Sequence, residues 1–187
     1  MKSSASTLTT FLLTISAQTA FSALTTLPPT FTPPLDSSLL TTPSYAKFSD
    51  PLISTLLFTT SDVTKRQTEP DPDRKITLQD GLVFVLQCVN AGFREPCVVF
   101  GSEPGKCVSY FDFQPANSTK ISDTYNDAVS SISTNTGGKC QFYKFLGCNN
   151  KGDDRGLTVD YNYDLSVPKA GDHRVIEYEN KITSWRC

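Results

Sequence analysis

From residue 76 onward, short apolar or alternating runs of residues are separated by turn residues. Residues 82–88 are mostly apolar and β-branched, and residues 107–113 alternate between apolar and polar positions. Both patterns predict β-strands, and no window of about 11 residues shows the periodicity of an amphipathic helix. Strands are predicted at 82–88, 96–100, 107–113, 129–133, 140–145, 156–163 and 175–176. Short strands at this spacing predict an all-β antiparallel sandwich.

One seven-residue pattern occurs twice in this region. Residues 125–131 and residues 178–184 both read as Tyr, two polar residues, a variable residue, a β-branched apolar residue, a hydroxyl residue and Ser. The offset of 53 residues is too long for a solenoid repeat. We interpret the repeat as two similar supersecondary units within one domain, and two Greek keys of four strands each are the arrangement that it predicts.

The composition divides the chain into two parts. All six Cys and all ten Gly lie at or after Gly81, whereas eight of the twelve Pro lie between residues 24 and 72. Residues 1–23 combine Lys2, a short apolar run and small residues, which is typical of a secretory signal peptide. The apolar run is too short to span a bilayer, so a secreted, extracellular protein without a membrane span is predicted. A buried helix is the alternative interpretation of this run.

Residues 24–66 are rich in Thr, Ser and Pro and lack Gly and Cys. Such a segment disfavours helices and sheets, which predicts a pro-segment. It ends at Lys65 and Arg66, a dibasic pair that we interpret as a processing site, although an ordinary exposed pair is the alternative. Leu39, Leu40 and residues 52–58 are apolar enough to pack transiently. A linker at 67–75 and a domain at 76–187 complete the predicted organisation.

Charge and cysteine content narrow the function classes. From residue 67 onward there are 13 Lys and Arg against 16 Asp and Glu, with no basic stripe, so nucleic-acid binding is not expected. The sequon at Asn117 predicts a surface loop that accepts glycosylation. Six cysteines in an exported chain predict three disulfides, and 15 pairings are possible. The cysteines are Cys88, Cys97, Cys107, Cys140, Cys148 and Cys187.

The polar residues of the repeated pattern carry the candidate chemistry. Carboxylate, amide, hydroxyl and carbonyl oxygens are the hard ligands that Ca²⁺ collects. Imidazole is scarce, because His173 is the only His, and the cysteines are assigned to disulfides. Asn, Asp and Ser also cluster simply because they form turns, and for one copy alone that interpretation is favoured. The duplication favours a site.

The first copy, with Asn126, Asp127, Ser130 and Ser131, resembles the calcium motif of the βγ-crystallin superfamily. That motif has two Asn or Asp residues, two variable residues, Ser or Thr, and then Ser. The second copy departs from it at Glu179. The layout of residues 80–187 also resembles small secreted fungal proteins with a βγ-crystallin-like domain and a similar cysteine frame.

The resemblance implies a disulfide-stapled sandwich of two Greek keys that binds up to two Ca²⁺ ions, each held by oxygens from both motifs. The implied ligands are Asn126, Asp127, Ser130, Glu179, Asn180 and Thr183. Ser131 and Ser184 are expected to brace the loops. The fungal proteins carry a local pair that corresponds to Cys140–Cys148, which seven intervening residues allow, and this pair is therefore the favoured disulfide.

No catalytic role is expected. No Gly-x-Ser-x-Gly elbow is present, and disulfide bonding leaves no thiolate nucleophile. The predicted role is that of a monomeric fungal effector or interaction protein with a host or microbial target. The alternative is a protease inhibitor or killer-toxin-like antimicrobial protein. For an inhibitor, residues 93–96 around Arg94 form the candidate loop, because they lie between Cys88 and Cys97.

Overall fold

Ten short strands in two sheets dominate the described part of the chain. The computed structural model describes residues 23–26, 33–59, 81–113, 120–136, 138–149 and 154–187. The strands are β1 (Ala23–Thr26), β2 (Thr55–Thr59), β3 (Val83–Asn90), β4 (Arg94–Ser102), β5 (Val108–Ser109), β6 (Ser131–Thr134), β7 (Cys140–Tyr143), β8 (Leu157–Val159), β9 (Tyr161–Asn162) and β10 (Ser184–Arg186). The helices are short: α1 (Pro43–Phe48), α2 (Lys120–Tyr125), and 3-10 turns at Ser37–Leu39, Tyr110–Phe113 and His173–Tyr178.

The strand order confirms the predicted β-rich, two-layered class. One sheet has the order β1-β2-β4-β3-β6-β9 and the other has the order β5-β10-β7-β8, and neither closes into a barrel over the residues described. All neighbouring strands are antiparallel except β2 and β4, which are parallel. We call these the large sheet and the small sheet.

The eight strands after residue 80 fall into two sets that are arranged alike. β3, β4 and β6 lie together in the large sheet, and β7, β8 and β10 lie together in the small sheet. The third strand of each set, β5 or β9, pairs at the edge of the other set's sheet, against β10 or β6. Each set therefore supplies one strand to the sheet of the other set, so neither sheet is complete without both sets.

The core follows the two-residue period of the central strand β3. Val83 and Val85 face the main core between the sheets, where Trp185 is fully buried, whereas Phe84 and Leu86 face the opposite side of the large sheet. A strand that is buried on both faces reads as a nearly continuous apolar run, as residues 82–88 do apart from Gln87.

Residues 33–59 cover that second face of the large sheet. Phe48 and Ile53 pack there on Phe84 and Leu86, and β2 extends the sheet beyond β4. The Thr-, Ser- and Pro-rich composition did not predict this packing, beyond a transient association of the few apolar residues.

Three of the predicted strands differ in the structure. Residues 156–163 form two strands, β8 and β9, which lie in different sheets. Residues 107–113 form a strand only at β5 and then turn into a 3-10 helix, because Asp112 accepts a hydrogen bond from the Ser109 amide at 2.7 Å. The prediction of a strand at 175–176 was wrong, since those residues lie in a 3-10 helix capped by the Asp172 side chain. Each turn buries two residues three positions apart, the spacing that a 3-10 helix brings onto one side.

The six cysteines form three disulfides, as predicted, but the favoured pair was wrong. The pairs are Cys88–Cys97, Cys107–Cys148 and Cys140–Cys187. Cys140 begins β7, which lies beside β10, so its near neighbour is Cys187 at the end of the chain. Cys148 lies in the turn after β7 and joins the segment before β5 instead.

Some predictions lie outside the described residues. The signal peptide up to residue 22, Lys65 and Arg66, and the sequon at Asn117 belong to this group, and they stay predictions. Within the described ranges, no helix has the length and apolar character needed to cross a membrane.

The disulfides should differ in their contribution to stability. The Cys140–Cys187 bond joins residues 47 apart and the Cys88–Cys97 bond joins residues 9 apart. From the loop-closure entropy of the unfolded chain, we expect losses of about 4 and about 2.6 kcal/mol respectively when each pair is replaced by Ala. Urea unfolding of the two double variants measures both values, and the reverse order would contradict the argument.

A thiol assay on the first of these variants and on one further variant tests the pairing itself. Cys140→Ala with Cys187→Ala should leave no free thiol, because the structure pairs these two residues. Cys140→Ala with Cys148→Ala should leave two unpaired sulfurs, at Cys107 and Cys187. Two free thiols in the first variant and none in the second would instead indicate the Cys140–Cys148 pair that was favoured from the sequence.

Candidate functional site

Both copies of the repeated motif begin where a short helix ends. Tyr125 is the last residue of α2, and Tyr178 is the last residue of the 3-10 helix at 173–178. Both rings are buried. The Tyr178 hydroxyl donates a hydrogen bond to Asp154, whose carboxylate also accepts the amide of Lys144 at 2.8 Å. Each tyrosine thus anchors the polar residues that follow it to the core.

The two motifs then bind each other through reciprocal backbone hydrogen bonds. The Asp127 amide donates to the Ile182 carbonyl at 3.0 Å, and the Asn180 amide donates to the Val129 carbonyl at 3.2 Å. Asp127 and Asn180 are equivalent positions, and both adopt left-handed backbone conformations, with φ of 54° and 52°. Asn and Asp are the non-glycine residues that tolerate this conformation best.

The side chains of the motifs also cross between the two copies. The Ser130 hydroxyl donates to Glu179 Oε1 at 2.7 Å and approaches Asn180 Oδ1 at 3.3 Å. We call these three side chains the first oxygen cluster.

The equivalent positions with the two motifs exchanged form a counterpart. The Thr183 hydroxyl donates to Asp127 Oδ1 at 3.3 Å, and the Asn126 amide donates to Asp127 Oδ2 at 2.9 Å. We call Asn126, Asp127 and Thr183 the second oxygen cluster. The structure therefore brings together all six residues that the sequence selected, each cluster containing residues of both motifs.

One buried oxygen in each cluster lacks a hydrogen-bond donor in the described part of the chain. These atoms are Asn126 Oδ1 and Glu179 Oε2, which belong to the first polar position of each motif. A buried acceptor without a partner costs free energy, and its presence calls for an explanation such as a bound ion or water. The equivalence of the two positions shows that the feature belongs to the motif.

The carboxyl group of Glu179 is held at a raised pKa. Burial is the largest cause, the hydrogen bond from Ser130 opposes it, and the nearby charge of Asp164 adds to it. Asp164 approaches because the amide of Leu165 donates to the Ser130 carbonyl at 2.8 Å. The protonated form of Glu179 is therefore favoured by burial, and the charge of Asp164 adds to that preference.

The final Ser of each motif braces a neighbouring hairpin, as the resemblance implied. Ser131 Oγ donates to the Asn90 carbonyl at 2.8 Å, and Ser184 Oγ donates to the Phe145 carbonyl at 2.5 Å. The same two oxygens accept the amides of Phe93 and Cys148, at 3.2 and 3.0 Å. Neither serine forms part of the oxygen clusters.

A second repeat, which the seven-residue pattern does not include, lies in the turns that these serines hold. Gly92 and Phe93 have φ of 77° and 53°, and Gly147 and Cys148 have φ of 73° and 50°. The two Gly residues lie 55 positions apart, close to the offset of the motif. Two consecutive left-handed residues produce the tight turn that brings each hairpin back to its serine. A search for paired glycines near the motif offset was the signal that could have found it.

Asp154 and Asp164, acidic residues that the sequence suggested only as a solvated face, also act on the motifs. Asp154 fixes Tyr178, and Asp164 acts on Glu179 through its charge. Neither lies within the motif, and only the packing of the sheets brings them to it.

The other candidates are less well organised. Arg94 is exposed on a hairpin that the Cys88–Cys97 disulfide closes, but its Nε donates to the Ala91 carbonyl at 2.9 Å, so the side chain folds back on its own turn. His173 is exposed at the start of its 3-10 helix. No group of three or more His, Cys, Asp and Glu side chains suited to a metal occurs within the described ranges. The two oxygen clusters are therefore the candidate site.

Comparison with protein-family models, with curated proteins and with solved structures finds no match for this chain.

The two residues with left-handed backbone conformation provide a test of the reciprocal backbone hydrogen bonds between the motifs, which we call the backbone clasp. Asn180→Ala removes the side chain and adds backbone strain, whereas Asn180→Gly removes the same side chain without strain. We expect the Gly variant to be more stable than the Ala variant by about 1 kcal/mol in chelator. Denaturant unfolding measures the difference.

Lys181→Ala is the matched control, because Lys181 is exposed, lies next to Asn180, and does not have a left-handed backbone conformation. Equal stability of the Ala and Gly variants at position 180 would show that the backbone conformation does not matter there.

Proposed function

We propose that this chain is a secreted, non-enzymatic βγ-crystallin-like protein whose two motifs bind Ca²⁺. The observation that carries the proposal is the reciprocal crossing of the motifs: each supplies oxygens to both clusters, and each leaves one buried oxygen without a donor. This is the arrangement expected of a crossed pair of calcium clamps. The proposal covers up to two ions.

The strand order supports the proposed βγ-crystallin-like fold. Each set of four strands places its second, first and fourth strands side by side and lends its third to the other sheet. We interpret each set as a Greek key of this exchanged kind. The paired serine braces at Ser131 and Ser184 repeat in both sets, which supports an internal duplication.

The chemistry of the donors supports calcium over other metals. Both clusters consist of carboxylate, amide and hydroxyl oxygens, which suit a hard cation that accepts irregular coordination. Glu179, Asn180 and Ser130 would hold one ion, and Asn126, Asp127 and Thr183 the other, with backbone carbonyls and water completing the shells. The ion would neutralise the carboxylates and tie the two units together.

The charge of the clusters indicates the expected affinity. Each cluster contains a single carboxylate among its three side chains, and calcium affinity rises with the number of charged ligands. We therefore expect weak binding, on the order of 10⁻⁴ M, which suits extracellular calcium. Three disulfides and the predicted signal peptide are consistent with that compartment.

The proposed role is that of an extracellular interaction protein, acting on a host or a microbial competitor. Export and the resemblance to small secreted fungal proteins support it. The arrangement around Arg94 gives the inhibitor alternative no comparable support, since its side chain is bound to its own turn.

Calcium should raise the stability of the full chain. A ligand that binds only the folded state adds RT ln(1 + [L]/Kd), about 2.7 kcal/mol at a hundredfold excess over Kd. We expect the thermal unfolding midpoint in calcium to exceed the midpoint in chelator, and Asp127→Asn combined with Ser130→Ala to remove the increase. Asn at position 127 keeps a residue that tolerates the left-handed backbone, so the loss would report the lost ligands.

Glu177→Gln is the matched control, because Glu177 is an exposed carboxylate two residues before Glu179 that pairs with Lys144. It should retain the full response to calcium. An unchanged midpoint for the unaltered chain at millimolar calcium would refute calcium binding and leave the motifs as fold architecture.

The raised pKa of Glu179 predicts opposite effects of pH with and without calcium. In chelator, the folded state holds the Glu179 proton more tightly than the unfolded state does. This group therefore adds stability as the pH falls from neutral through its raised pKa, and it costs stability as the pH rises. Calcium requires the ionised carboxylate, so the stabilisation by calcium should decline over the same fall in pH.

Glu179→Gln should remove both the pH dependence of stability in chelator and the pH dependence of the stabilisation by calcium. Glu177→Gln should leave both unchanged. Thermal unfolding from neutral pH down to the ordinary glutamate pKa of 4.5, in chelator and in calcium, measures them. A calcium response that stays constant with pH in the unaltered chain would exclude Glu179 as a ligand.

A further inference from the structure

The outer face of the large sheet is apolar and is covered by the chain's own N-terminal part. Phe84, Leu86, Phe93 and Val99 form this face, and all four are almost completely buried. Residues 33–59, which we call the covering segment, pack on this face through Phe48 and Ile53. Phe93 also contacts the rings of Tyr161 and Tyr163. An apolar face of this kind is rarely left open in a monomeric protein.

The covering segment is held by a β-ladder as well as by side chains. β2 pairs with β4 in parallel from Thr55 opposite Val99 to Phe58 opposite Ser102, and the Val99 amide donates to the Ser54 carbonyl at 3.0 Å. The ladder satisfies the edge of β4, which otherwise presents unpaired backbone groups to solvent.

The segment also reaches the main core. Leu56 and Phe58 belong to the main apolar cluster, and the Phe58 ring lies 5.9 Å from the Phe113 ring. Phe48 and Ile53 belong to the cluster on the outer face. The covering segment therefore contributes to both cores, which distinguishes it from a loosely associated tail.

Buried polar contacts fix the position of the segment. The Asn135 side chain accepts the Phe84 amide at 2.8 Å and donates to the Pro34 carbonyl at 2.7 Å. The hydroxyl of Ser133 donates to that of Ser44 at 2.9 Å, and both residues are fully buried. Buried polar groups that match in this way specify one arrangement, because a displaced segment leaves them without partners.

The covering segment is linked covalently to β3 and the later described strands only through the peptide chain between residues 59 and 81. All six cysteines lie at Cys88 or later and are paired with one another, so no disulfide holds the segment. The predicted processing site at Lys65 and Arg66 falls in this connection. Cutting there breaks the covalent link and leaves every described contact of the segment intact.

We propose that the outer face of the large sheet is a binding surface for the covering segment in trans, so that the chain cut after Arg66 remains a two-chain protein. The N-terminal piece is then a permanent subunit of the processed protein. The interaction that holds it is the combination of a parallel β-ladder, two apolar clusters and matched buried hydrogen bonds.

The test begins with the folded, full-length secreted chain. A kexin-type protease cuts it after the dibasic pair, and a reducing denaturing gel establishes that cutting is complete. Native size-exclusion chromatography and native mass spectrometry then determine whether the pieces travel together. We expect an equimolar complex that separates only in denaturant. An N-terminal piece that elutes free, with a soluble piece beginning at Gln67, would overturn the proposal.

Two neighbouring residues provide a matched pair of variants. Ile53 is 9% exposed on the outer face, whereas Leu52 is 85% exposed. After cutting, Ile53→Asp should release the N-terminal piece because it places a charge in an apolar contact, and Leu52→Asp should retain it. The milder Ile53→Ala provides a graded loss of retention if the uncut Ile53→Asp chain lacks a cooperative unfolding transition. Equal retention in all variants would show that the outer face does not hold the segment.

Discussion

The reciprocal hydrogen bonds between the two motifs are the constraint on which the arrangement of the molecule depends. The Asp127 amide donates to the Ile182 carbonyl at 3.0 Å, and the Asn180 amide donates to the Val129 carbonyl at 3.2 Å. These bonds hold the two motifs face to face. The same facing arrangement places β5 and β9 in the opposite sheets. A change that displaces one motif therefore affects both sheets and both oxygen clusters.

The backbone clasp also explains which residue types occur in the two oxygen clusters. Left-handed backbone at positions 127 and 180 selects Asn, Asp or Gly, and the first two carry an oxygen. The hydroxyl of the opposite motif then reaches that oxygen, as Ser130 and Thr183 do. Residues chosen for the turn are thereby also residues that suit a hard cation. The turn interpretation and the calcium interpretation of the motif are therefore compatible, and the buried oxygens without donors are what favours the second.

The large sheet illustrates how burial on two faces makes a segment indispensable. β3 is apolar at every position from Val83 to Leu86, so both of its faces need a cover. The small sheet covers one face and residues 33–59 cover the other. The segment can do this because Phe48 and Ile53 reach the outer cluster while Leu56 and Phe58 reach the main core.

The sequence determined the local features of this protein. The duplicated motif, the glycine-marked turns, the main strands and the number of disulfides follow from residue type and short-range spacing, and the structure contains them. The six cluster residues come together across the two motifs, as the resemblance implied, and their role as metal ligands stays a prediction.

Only the tertiary structure decided which distant parts meet. Cys140 pairs with Cys187 because β7 and β10 are neighbours, a fact that no local spacing contains. Residues 175–176 became a 3-10 turn because Val175 and Tyr178 both reach the core in that form. The covering role of residues 33–59 likewise depends on a partner surface formed some 40 residues later in the chain. Local propensities determine what each segment can form, and the burial of apolar surface against remote segments determines which of those forms is adopted.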